Sequence, residues 1–119
     1  MGRDKFKQGL EDLNYLVETK DEDKAIIPFV ITAGKFAGQQ VKVGFQVPVD
    51  FEMTCPGGPH VSPRLIPINT GGPDHSTRAA ESPQFGPEWE YLSRPFNQWA
   101  HKRTVKRYME YVADLLNTL

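Results

Sequence analysis

Residues 25–47 read AIIPFVITAGKFAGQQVKVGFQV, and this stretch decides the fold. The first run, AIIPFVIT at 25–32, is β-branched and aromatic. AGKFAG at 33–38 carries two glycines. In QQVKVGFQV at 39–47, Val41, Val43, Phe45 and Val47 alternate with polar residues or glycine. Period-two alternation is the mark of a strand with one buried face. Two such runs around a glycine-bearing turn predict an antiparallel hairpin. Pro28 has no N–H to give a ladder, which places the first strand at an edge or at a bulge.

Upstream, Phe6, Leu10, Leu13, Leu16 and Val17 recur mostly at spacings of three and four, predicting a helix over 3–19. The charged run KDEDK at 20–24 reads as a solvated turn that closes it. Downstream, VDFEM at 49–53 is a candidate third strand piece, TCPGGP at 54–59 forces a turn, and HVSPRLIP at 60–67 is extended and punctuated by proline. Residues 69–87 show no apolar periodicity, and a long stretch of that kind inside a compact domain is more often functional or mobile than inert. From Arg103 onward, Val105, Tyr108, Met109, Val112, Leu115 and Leu116 restore a helical stripe. The expected architecture is one α+β domain over 1–119. It comprises an N-terminal helix, an antiparallel meander of three to four strands, a long loop and a C-terminal helix.

A chain of 119 residues has room for one core rather than two. Lys and Arg number 14 against 15 Asp and Glu, a balance that gives no reason to expect nucleic acid or an anionic membrane as partner. The single cysteine, Cys55, excludes an internal disulfide and fits a reducing compartment. No apolar run approaches the roughly 20 residues needed to cross a bilayer, and the start of the chain has no secretory pattern. A cytoplasmic location is the expectation.

Two segments then bring a family into view. VPVDF at 47–51, running on through CPGGPHV at 55–61, resembles the proline-rich strand and loop of ubiquitin-conjugating enzymes. WEYLSRPF at 89–96, with Trp99 and the closing helix, is similar to that family's tryptophan-serine-proline segment and the helix behind it. The likeness spans most of the chain. It is stronger to bacterial members, since one helix follows where eukaryotic enzymes continue with more.

The resemblance implies a UBC-like fold, a ubiquitin-like protein and an activating enzyme as partners, and no cofactor. The chain departs from the pattern at the chemistry. The family's His-Pro-Asn element has its nearest counterpart in Ile66-Pro67-Ile68-Asn69, without the histidine, and the likeness gives Asn69 the role of supporting an oxyanion. No cysteine follows Cys55, and the interval where the family carries one reads RAAESPQFG at 78–86.

An acyl carrier needs a nucleophile that accepts a C-terminal acyl group and yields it to an amine. Ser82 stands in the right interval and would form an oxyester, which requires a base or an oxyanion site. His75 and Asp74 are the candidate assistants, giving a catalytic set of Ser82, His75 and Asn69. The plainer reading is that Ser82 caps a turn before Pro83. Cys55 lies before that interval, and nothing adjacent would lower its pKa, so it is expected to be a small apolar residue and not the nucleophile. His60, His75 and His101 with one cysteine make no metal signature.

Trp89, Tyr91, Phe96 and Trp99 read as satellite core sealing the loop, or as a docking surface. Arg103, Lys106 and Arg107, after His101 and Lys102, put positive charge at a helix N-terminus, where the macrodipole disfavours it.

The leading function is therefore a conjugating-enzyme-like transferase that takes a ubiquitin-like modifier from an activating enzyme and passes it on, through a serine oxyester. The competing function is a non-catalytic variant of the same fold that binds a ubiquitin-like protein or scaffolds a partner. A peptide-binding or small-molecule-binding α+β domain is the third.

Overall fold

The computed structural model describes residues 2–68, 77–94, 96, 99 and 103–119. The described elements run in the order α1 (Gly2–Asp12), β1 (Glu18–Lys20), β2 (Lys24–Val30), β3 (Gln40–Gln46), β4 (His60–Ser62), β5 (Arg78–Glu81), β6 (Glu90–Ser93) and α2 (Val105–Asn117). All the strands join one antiparallel sheet in the order β1-β2-β3-β4-β6-β5.

The β2–β3 hairpin is the one expected at 25–47, with Ala25 opposite Phe45 and Ile27 opposite Val43. Side chains alternate across a strand, so Ala25, Ile27, Val41, Val43, Phe45 and Val61 share one face, where they are buried. Both helices cover that face. Phe6 sits at its centre with Phe45, Phe51 and Tyr108 edge-on at 5.1, 5.2 and 5.7 Å, a favoured aromatic geometry. Gly9 lets α1 lie directly against α2, because a Cβ there would run into the Val105 side chain. Thr104 caps α2 by accepting from the Arg107 N–H at 3.2 Å. Asn117 at its far end accepts from Thr32 and Ala33 N–H, tying the helix to the hairpin turn.

Four expectations need correction. The N-terminal helix stops at Asp12, where Asn14 turns left-handed (φ 71°) and Tyr15 N–H reaches back to Leu10 carbonyl. Leu16 therefore leaves the apolar stripe and is 79% exposed, and the chain enters β1 instead. The charged run at 20–24 does turn, into β2, but Lys24 is buried there against Asp21 (3.1 Å) and Asp23 (3.0 Å). Residues 49–53 form a turn and not a strand, fastened by Phe51 N–H to Pro48 carbonyl and Met53 N–H to Asp50 carbonyl. Finally, the sheet has six strands among the described residues, not three to four, because 18–20 pairs with β2, and 78–81 and 90–93 pair with each other inside and beyond the expected loop.

Candidate functional site

The face of the sheet away from the helices carries the even positions of β2 and β3 and, on β4, His60. His60 pairs with Gly44 on one side and Tyr91 on the other. After β5 the chain turns tightly at Ser82, whose carbonyl accepts from Phe85 N–H (3.1 Å) and Gly86 N–H (2.8 Å). Gly86 has φ 134°, a conformation that favours glycine. This turn swings Phe85 back over the sheet. Its ring lies 4.4 Å from the His60 ring and 5.0 Å from Trp89, and it rests on Gly44, where any Cβ would collide with it. Tyr91 closes the other side of the imidazole at 4.8 Å.

The same turn delivers Ser82 to the imidazole edge. Ser82 Oγ and His60 Nδ1 are 2.6 Å apart in a buried setting. Burial pushes the His60 pKa down to about 4, and the nearby Lys24 ammonium pushes the same way, so the ring is neutral near pH 7. Lys24 keeps its own charge. Burial pulls its pKa down, but Asp23 and Asp21 more than reverse that. Beside the pair is an open cleft of about 410 Å³, lined by Gln46, Gly57, Gly58, His60, Glu81, Pro83, Gln84 and Tyr91.

One wall of the cleft is Gly57-Gly58, in the irregular segment 55–59 that leads into β4 and not in the turn expected there. Tyr108 hydroxyl donates to Gly57 carbonyl, and Tyr91 hydroxyl accepts from Gly58 N–H at 3.1 Å. Cys55, at the start of that segment, packs partly buried against the core, and burial pushes its thiol up to about 11. Little thiolate exists near neutrality.

A second buried group steadies the segment after β4. Glu90 is fully buried, and its Oε1 accepts from Leu65 N–H (2.6 Å) and Ile66 N–H (3.1 Å). Among the described residues its Oε2 has no hydrogen-bond partner. Arg64 Nε donates to Trp89 carbonyl alongside, so 64–66 is held to Trp89 and to Glu90 at the start of β6.

Of the residues the sequence singled out, Ser82 stands in this cluster, while Asn69, Asp74 and His75 lie outside the described residues. The hydroxyl's neighbour is His60, a histidine weighed in the sequence only as a metal ligand. One signal for it existed: alternation through His60 and Val61 puts the imidazole on the face opposite the core. Nothing local told that face that Ser82 would come to it. The aromatic segment divides in two. Trp89 and Tyr91 join His60 and Phe85, whereas Trp99 and Phe96 pack on the helix side with Tyr108, and Phe96 stacks on Tyr111 at 4.5 Å.

Among the described residues no group of three His, Cys, Asp or Glu side chains is placed to hold a metal ion, and no helix is long and apolar enough to cross a membrane. No protein-family model, curated protein or solved structure matches this chain.

Proposed function

We propose that this chain is a ubiquitin-conjugating-enzyme-like domain that receives a ubiquitin-like modifier from an activating enzyme and hands it on. The observation that carries the reading is the layout. A helix precedes the contiguous meander β1-β2-β3-β4, a closing helix packs beside the first on the same face, and the proline-rich crossing at 48–59 lies between β3 and β4. That order supports the resemblance carried by 47–61 and 89–99. Cys55 is the weaker candidate for the carrier, since burial pushes its thiol up to about 11.

The competing reading, a scaffold of the same fold that binds a ubiquitin-like protein without bonding to it, is favoured by one observation: Ser82 is 1% exposed. Incubation with cognate activating enzyme, modifier and ATP separates the two. Transfer predicts a denaturant-stable, hydroxylamine-sensitive adduct. A scaffold gives a complex that denaturant dissolves. Absence of both adduct and complex rejects the family of functions altogether.

A further inference from the structure

We propose that Ser82 and His60 form an acyl-acceptor pair, in which His60 is the base that activates the Ser82 hydroxyl and the adjoining cleft admits the acyl donor. A serine hydroxyl is a weak nucleophile until a base within hydrogen-bond reach can take its proton, and 2.6 Å is within that reach. The imidazole is held in place from three directions: the β4 backbone, the Phe85 ring and the Tyr91 ring. Such fixed orientation is what a general base needs. Glu81, Pro83 and Gln84, the neighbours of Ser82, form one rim of the cleft, with Gly57 and Gly58 opposite.

The step balances without any further reactant. Ser82 Oγ adds to the carbonyl carbon of a thioester as its proton passes to His60 Nδ1. The carbon–sulfur bond then breaks, and the leaving thiolate takes that proton, leaving an ester on Ser82 and a neutral ring. An amine that later attacks the ester restores the hydroxyl. The class of acyl group, the C-terminal carboxyl of a ubiquitin-like protein, rests on the conjugating-enzyme reading; the nucleophile and its base do not. The hydroxyl is sealed in the closed arrangement, so the donor reaches it only as Pro83 and Gln84 give way, and acylation is slow.

The test uses p-nitrophenyl acetate on the full chain carrying Cys55→Ala, which removes the competing thiol. The expected product carries one acetyl group on Ser82, located within tryptic fragment 79–102. It is lost in Cys55→Ala/Ser82→Ala, and its rate falls by at least about 10²-fold when His60→Gln is added. The pH profile with His60 intact gives a readout that does not depend on that variant folding. The titratable groups facing the ring are Lys24 on β2 and Tyr91 on β6, and Glu81 on β5 lines the same cleft. The rate is expected to hold steady from neutrality down to about pH 5 and to fall as His60 charges near pH 4. Ser82 unmodified in the folded chain across that range overturns the pair, as does a rate indifferent to His60→Gln in a folded variant. Acetylation of Ser82 together with failure to form any modifier adduct overturns the conjugating-enzyme reading alone.

Discussion

His60 is where one residue's ionisation reaches the stability of the whole. Its folded pKa is about 4 against an ordinary value of 6.5. Between those values the unfolded chain binds a proton that the native chain does not, so stability rises with pH across this window and is lost as pH falls through it. The full effect of a shift that size is about 3 kcal/mol. Urea denaturation at pH 5 and pH 7 is expected to show a stability gap that narrows in His60→Phe, which has nothing to titrate. An unchanged gap would place the acid sensitivity elsewhere. Cys55 gives the complementary case. With its thiol raised from 9.0 to about 11, alkylation by iodoacetamide at pH 7 is expected to run about 10²-fold slower than for an unfolded peptide of the same sequence. This inertness was legible in the sequence, because nothing near Cys55 stabilises a thiolate. The partnership of His60 was not, because it depends on a contact with a residue 22 positions later.

At the scale of elements, the turn after β5 is the informative piece. Phe85 is 6% exposed and pins the turn over Gly44 and His60. Phe85→Ala should cost roughly 3 kcal/mol by cavity formation while speeding acetylation of Ser82, because the turn opens more readily. Slower acetylation would show that Phe85 holds the imidazole more than it closes the site. Glu90 makes a matching test on the other side of β6. Glu90→Leu leaves the Leu65 and Ile66 N–H groups without their acceptor, at a cost of about 1–3 kcal/mol, whereas Glu90→Gln keeps a carbonyl oxygen available to them. Amide exchange at Leu65 and Ile66 should accelerate sharply in the first variant and little in the second. Periodicity gave β2, β3 and α2 nearly residue by residue, because each buries one face continuously. It overran α1, since Leu13, Leu16 and Val17 keep a helical spacing that the left-handed Asn14 interrupts. It missed β5 and β6, whose four residues each are too short for alternation to stand out: Arg78-Ala79-Ala80-Glu81 offers only one buried side chain, Ala79.

For the molecule as a whole, the helix-side core dominates stability. Phe6 touches three rings and is fully buried, so Phe6→Ala should lose about 3–5 kcal/mol and lower the melting temperature markedly. A small shift would mean that α1 contributes little to holding the sheet. The α+β class followed from one hairpin flanked by two amphipathic segments, and that much needed only local pattern. The extent of the sheet did not follow, because β6 reaches β4 from beyond the described loop segments and its register is set by long-range packing.

That strand order also fixes a sequence of assembly. The strands β1 to β4 pair with their chain neighbours, and so do β5 and β6, whereas the β5–β6 hairpin must return to β4 across 63–89. Pairings of longer span carry the larger loop-closure entropy and form later. Ser82 is therefore built by the last stage of folding, and reversing that stage alone would uncover its hydroxyl while the helices and the meander remain intact. Access to the site becomes a local melting equilibrium, tunable from positions of β5 and β6 that do not line the cleft.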